Sequence, residues 1–221
     1  MVVQLMDHMG DDYSPIQAAR VSTEGADSRN TLDNNGLRRY LLREKHMVPF
    51  ETQVMRFYIE APIFVTRQLL KHRISSISEE SGRYRELEPV FYVPGPNRPV
   101  VQVGKTGDYN FEHDRGLSSV AISTIKLASR DAWEHYTDLL ADGVAKEVAR
   151  MVLPTNIYSS MYMTMNTRSL MNLFELRTPH WGSKPQYEIA QVAERMYEEW
   201  ASKYPQTELA YRQGVAGNIG E

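Results

Sequence analysis

Two short runs with a period of two constrain this chain more than any other feature. In "QVMRFYIEA" Met55, Phe57 and Ile59 alternate with Arg56, Tyr58 and Glu60, and in "MYMTMN" Met161, Met163 and Met165 alternate with Tyr162, Thr164 and Asn166. Such alternation belongs to strands that bury one face. Each run leads into a segment of helical spacing. The first is "PIFVTRQLLKHR", with Pro62 suited to a first helical position and the triplet Lys71-His72-Arg73 closing the helix. The second is "TRSLMNLFELR", where Arg168 and Asn172 stand four apart on one face and Arg177 ends the run.

Further helices are predicted from about Leu37, with Leu37, Tyr40 and Leu41 on one face, and over Phe111 to Asp142. The inner face of the latter is expected to be Val120, Ile125, Ala128, Ala132, Tyr136 and Leu139, and Gly143 is a natural stop. "AKEVARMVLP" reads as a short helix ended by Pro154, and "QYEIAQVAERMYEEW" as an amphipathic one with Ile189, Val192, Met196 and Trp200 inward. "EPVFYVPGP" reads as a short strand. Strands and helices mix without the strict alternation of a parallel doubly wound sheet, so the expected class is α+β. No repeat, low-complexity tract or Pro/Gly/Ser-rich linker divides the chain, which implies a single domain over residues 1–221.

Several chemistries are disfavoured at once. A formal net charge of -3 gives no broad attraction to nucleic acid or anionic membranes, and no 18-residue apolar run or signal-peptide pattern is present, so a cytoplasmic protein is expected. Cysteine is absent, which removes thiolate ligands and a cysteine nucleophile. The histidines form no H-E-x-x-H pair, no G-x-G-x-x-G follows a strand, and "GKTGDYN" has the wrong spacing for a P-loop.

What remains is "KHRISSISEESGRYR", residues 71–85, together with arginines at element ends: Arg73, Arg83, Arg150, Arg168 and Arg177. Cations are favoured at helix C-termini, so a solvated helix end is one reading of the triplet. A guanidinium fork also matches phosphate and can polarise a planar heterocycle, and Ser81 and Gly82 would offer a hydroxyl and an approachable N–H to the same anion. A site for a flat, phosphorylated small molecule is the other reading.

The motif "KHRISSISEESGRY" resembles the signature of the flavin-dependent thymidylate synthases. So do, in the family's order, "ARVS" at 19–22, "HMVPFE" at 46–51, "APIFVTRQ" at 61–68, and "ARMVLP" with "MNTRSLMNLFELR" within 149–177. The resemblance implies a mixed or antiparallel sheet flanked by helices and a homotetramer with shared active sites. It implies methylation of dUMP to dTMP, with 5,10-methylenetetrahydrofolate giving the carbon and FAD reduced by NADPH giving the hydride, and no nucleic-acid or membrane partner. It assigns Gln68, Lys71, Glu79, Ser81, Gly82, Arg83, Arg150 and Arg177 to dUMP, with Arg177 catalytic. To FAD it assigns Val48, Lys71, His72, Arg73, Glu79, Asn166, Arg168 and Asn172, and it puts His46 near the folate. Lys71 stands where the signature usually has Arg, Ser78 where Asn is common, and Val48 where Thr is frequent. The competing readings are a nucleotide or single-stranded nucleic-acid binding module using Tyr84 and Tyr92 for stacking, and an inactive relative.

Overall fold

The computed structural model describes residues 1–30, 32–105 and 108–216. In chain order the elements are β1 (Val2–Met9), α1 (Ser14–Glu24), α2 (Asn35–Arg43), β2 (Val54–Pro62), α3 (Ile63–Leu69), β3 (Ser76–Glu79), β4 (Val101–Lys105) and β5 (Asp108–Glu112). They continue with α4 (Arg115–Ala141), α5 (Lys146–Ala149), β6 (Tyr158–Asn166), α6 (Thr167–Arg177), α7 (Tyr187–Lys203) and α8 (Pro205–Ala216). Two compact units result, one made of Met1–Glu60, Arg67–Glu79 and Ser160–Glu221, the other of Ala61–Thr66 and Glu80–Ser159. The α+β class read from the sequence holds. The single-domain reading runs to residue 221, and its last five residues lie outside those described.

The first unit is built on a four-stranded sheet in the order β1-β2-β6-β3, with β1 antiparallel to β2 and β3 antiparallel to β6. The two alternating runs are its central strands, and Met55, Phe57, Ile59, Met161, Met163 and Met165 are all buried. Helix α7 packs on α6 and β1 with Ile189, Val192, Met196 and Trp200 fully inward, as its periodicity requires. Each such side chain contributes roughly 1.5–3 kcal/mol by leaving water. Trp200 keeps its indole N–H satisfied on Thr167 Oγ1 at 3.0 Å.

In α2 the inward positions are Leu41 and, against expectation, Arg38, whereas Tyr40 is exposed. The buried Arg38 guanidinium is enclosed by Asp33, Asn35 and the Asp12 carbonyl, a set of partners that periodicity cannot anticipate. Helix α2 ends in a Schellman turn, with His46 N–H on Leu41 O and Lys45 N–H on Leu42 O. Lys45 occupies the left-handed position there at φ 56°, the one non-glycine residue with positive φ among those described. Glycine is the usual occupant because a Cβ costs about 1 kcal/mol in that conformation.

In the second unit α4 is confirmed, but its N-terminal boundary moves: Phe111 belongs to β5, which pairs with β4 as a hairpin the sequence reading missed. The face of α4 also differs in part. Tyr136 is buried as its spacing predicts, but the other buried residues are Ser118 and Ser129; Val120 is 61% exposed, Ala128 is exposed, and Ile125, Ala132 and Leu139 are half-buried. "EPVFYVPGP" forms only an isolated bridge between Phe91 and Ile157 rather than a strand. Thr106 and Gly107 of "GKTGDYN" lie outside the described residues.

Candidate active site

Helix α3 stops at Leu69, so Lys71, His72 and Arg73 do not close it as the spacing suggested. Lys71 N–H bonds Gln68 O at 3.2 Å and His72 N–H bonds Leu69 O at 3.0 Å, three-residue turn bonds that bend the chain off the helix. The turn sets the direction of the side chains. The imidazole of His72 turns inward and is buried, while Lys71 and Arg73 stay exposed.

Inside the first unit His72 meets the end of α6. Arg177 donates its Nε–H to His72 Nε2 at 3.3 Å, and its Nη1 reaches Gln68 Oε1 at 3.4 Å. Gln68 in turn donates to Gln186 Oε1. Burial, and secondly the Arg177 charge, pull the His72 pKa from 6.5 to about 4. The ring is therefore neutral at physiological pH and accepts at Nε2, which puts its own proton on Nδ1. Arg177 is half-buried and is steered by two neutral acceptors; no carboxylate neutralises it among the described residues. A guanidinium held this way keeps its remaining N–H groups and its charge for an incoming partner.

Helix α6 forms the adjoining wall. Asn166 is its N-cap, accepting from Ser169 N–H at 2.9 Å through Oδ1, so this candidate already has a structural task and only its amide N–H₂ is left for a ligand. Arg168, two residues on, pairs with Glu51 Oε1 at 2.7 Å. Arg168 and Asn172 do share a face, and with Lys71, His72, Arg73, Ile74 and Ser169 they line a cavity of ≈ 380 Å³. Ser169 Oγ is buried in that wall with no hydrogen-bond partner among the described residues, unlike most capped or back-bonded hydroxyls. The sequence reading did not single out Ser169. Its only signal was its place at the third position after the Asn166 cap.

Val48 and His46 are exposed, and His46 packs edge-on to Tyr40 with ring centroids 5.9 Å apart. Glu79 ends β3 and is exposed.

The remaining candidates belong to the second unit. Ser81 starts a turn whose carbonyl accepts from Tyr84 and Arg85 N–H, and its hydroxyl accepts from Arg83 N–H at 3.3 Å. Among the described residues no carboxylate or imidazole bonds the Ser81 hydroxyl, so none of them activates it as a nucleophile. Gly82 is buried, and a Cβ there would lie 3.2 Å from both Arg150 Cδ and Leu87 Cδ1. Glycine thus lets the Arg150 stem pass across the turn, and the structure brings these two candidates together. Arg83 reaches Glu147 Oε2 at 3.0 Å in an exposed pair, worth about 1 kcal/mol or less and readily exchanged for another anion. The candidates are therefore divided between the two units. Gln68, Lys71, His72, Arg73, Glu79, Asn166, Arg168, Asn172 and Arg177 fall in the first, and Ser81, Gly82, Arg83 and Arg150 in the second.

Residues 4–206 match the sequence profile of the family described as "Thymidylate synthase complementing protein". The chain is 46% identical over 222 residues to the flavin-dependent thymidylate synthase of Streptomyces avermitilis, covering 96% of this chain and 90% of that one. It belongs to the flavin-dependent thymidylate synthase family. The flavin-dependent thymidylate synthase of Tropheryma whipplei is 44% identical over 220 residues, with 96% and 92% covered. Among solved structures, the UMP/dUMP methylase PolB from Streptomyces cacaoi bound with 5-Br dUMP superposes with a TM-score of 0.91 at 42% identity, over 97% of this chain and 96% of that one. The same enzyme bound with 5-Br UMP gives 0.88 at 41% identity. This flavin-dependent thymidylate synthase family member has no described helix long and apolar enough to cross a membrane.

Proposed function

We propose that the chain catalyses reductive methylation of dUMP at C5, with 5,10-methylenetetrahydrofolate and NADPH as co-substrates. The net change is dUMP + methylenetetrahydrofolate + NADPH + H⁺ → dTMP + tetrahydrofolate + NADP⁺, and no step uses a thiolate because the chain has no cysteine. The observation that carries this reading is the Arg177–His72–Gln68 arrangement within a chain of this family. A guanidinium with charge to spare, set against the N3 and carbonyl edge of a pyrimidine, favours the ring anion and raises electron density at C5. His72 and Gln68 hold Arg177 in that pose.

Ser81, Gly82, Arg83 and Arg150 are proposed to take the nucleotide's phosphate, with Gln68, Lys71 and Glu79 on its base and sugar. Lys71 acts as a point charge rather than a fork, so its share of the binding is smaller than an arginine's would be. The residues of the α6 cavity suit a flavin. Lys71, Arg73 and Arg168 are cations for a pyrophosphate, Asn172 offers an amide, and the orphaned Ser169 hydroxyl fits a polar ring edge. At ≈ 380 Å³ the cavity, with His72 in its wall, encloses part of FAD, and Val48, Glu79 and Asn166 are assigned to the remainder. When bound, the flavin supplies the reducing electrons. His46 is placed near the folate.

The chain is proposed to work as one catalytic domain in a homotetramer. The apolar stripe of α4 supports assembly: Leu117, Val120 and Leu127 recur at helical spacing on one exposed side. A second reading, methylation of UMP as well, is favoured by the likeness to PolB, which was crystallised with both bromo-nucleotides. The test is spectroscopic. The purified chain should retain or take up FAD and change its absorption when dUMP is added; a chain that takes up no flavin contradicts the proposal, and an equal response to UMP establishes the second reading.

A further inference from the structure

Helix α6 also walls a second cavity, which shares lining residues with the first. It measures ≈ 500 Å³ and is closed by the C-terminal turn of α2 and by α8, with Arg43, Lys45, Met47, Met171, Glu175 and Tyr211 among its lining residues. That size suits a small organic ligand. Arg168 and Asn172 line this cavity as well as the one assigned above to flavin, so a molecule bound here lies against the same two side chains.

The chemistry of the walls is polarised. On the α2 side stands Lys45, an exposed ammonium with no ion pair among the described residues, next to Arg43, whose exposed partner is Glu44 at 2.9 Å and which also stacks on Tyr40 at 5.6 Å. On the α6 side Glu175 Oε1 lies 2.9 Å from the Tyr211 hydroxyl, which fixes the carboxylate. Burial, and then Glu175, push the Tyr211 pKa upward, so the phenol stays a donor. Leu42, Met47 and Met171 add apolar lining. Lysine is also a costly choice at position 45, where positive φ favours glycine, and strain retained at a cavity rim is a signature of function.

We propose that this cavity is a second ligand site, one that takes the anionic end of a planar co-substrate on Lys45 and Arg43 and an N–H edge of its ring on Glu175. The proposal rests on the function above for the identity of the co-substrates. Two of them share this chemistry: tetrahydrofolate, with a pterin edge and glutamate carboxylates, and NADPH, with a carboxamide and phosphates.

Isothermal titration calorimetry on the flavin-loaded full chain tests it, using NADP⁺ and tetrahydrofolate carrying one or three glutamates. Lys45→Gly removes the ammonium while giving the backbone the residue it prefers, so loss of fold does not confuse the result. Lys45→Gly and Arg43→Gln are each expected to weaken one co-substrate by roughly tenfold, more steeply at low salt. A loss confined to NADP⁺ identifies the phosphates as the anion, and a loss that grows with glutamate number identifies the carboxylates. Affinities within twofold of wild type for both co-substrates in the double variant overturn the proposal. A chain that binds either co-substrate through Lys45 yet makes no thymidylate supports this inference and contradicts only the proposed reaction.

Discussion

Acidification from pH 7 to pH 5 is expected to weaken the first unit through one side chain, His72. Its pKa lies at about 4 in the folded protein, against 6.5 for an unperturbed imidazole, chiefly because it is buried and secondly because it faces Arg177. A depressed folded pKa means that the unfolded chain takes up the proton first as pH falls. The stabilisation is thus complete above about pH 6.5 and is lost progressively between there and about pH 4. With these two values the loss by pH 5 is about 2 kcal/mol at most. Solvent reaching the rim of the cavity screens part of it, leaving roughly 1–2 kcal/mol. For a protein of this size that lowers the melting temperature by about 3–6 °C.

The assay is calorimetric melting of wild type and His72→Gln at both pH values, since glutamine can accept from Arg177 but does not titrate. The variant should show a flatter pH dependence by that amount. In the folded protein the imidazole takes up its proton only as pH falls through about 4, which would remove the acceptor that steers Arg177 and set two cations against each other, so turnover should fall there and not between pH 7 and pH 5. Parallel pH dependence in the two proteins, or an imidazole titrating by NMR at 6.5 or above, would rule out this role for His72.

Other outcomes follow from single contacts. Arg177→Ala should lower kcat by roughly 10²–10³ while flavin content stays normal, as measured by steady-state kinetics and absorbance. Gly82→Ala should force Arg150 or Leu87 aside and raise the KM for dUMP several-fold, at a stability cost of about 1 kcal/mol in a denaturant titration. Lys45→Gly should stabilise the chain by about 0.5–1 kcal/mol and raise its melting temperature, whatever it does to ligand affinity. Arg38→Ala should destabilise by about 3–5 kcal/mol, because Asp33 then loses its buried partner.

The sequence disclosed the parts of the fold that repeat a simple period. The alternating methionines of β6 and the 3.6-residue spacing of α7 each put the residues they marked in the core. It placed only part of the inner face of α4: Tyr136 turns inward as its spacing predicts, but so do Ser118 and Ser129, while Val120 turns outward. A hydrophobic pattern reports which side is sticky, and cannot say whether the chain's own core covers it. Strands β1 and β3 escaped notice because one carries mixed polarity and the other is four residues of Ser-Ile-Ser-Glu.

At the site, residue types and order named Arg177, His72 and Gln68 separately, and the family resemblance gave them ligands. Their mutual hydrogen bonds depend on the turn that follows α3, which no spacing rule contains. The cap formed by Asn166, the buried hydroxyl of Ser169 and the passage of Arg150 over Gly82 are likewise consequences of packing.

This chain, which has no cysteine, is proposed to make thymidylate with Arg177 as the group that activates the pyrimidine. This reaction is tested most directly by supplying the flavin-loaded protein with dUMP, methylenetetrahydrofolate and NADPH and quantifying dTMP by mass spectrometry. Multiple turnovers by wild type, and near-complete loss in Arg177→Ala with flavin still bound, are the expected result. No dTMP from the flavin-loaded wild type, or undiminished dTMP from Arg177→Ala, would contradict it.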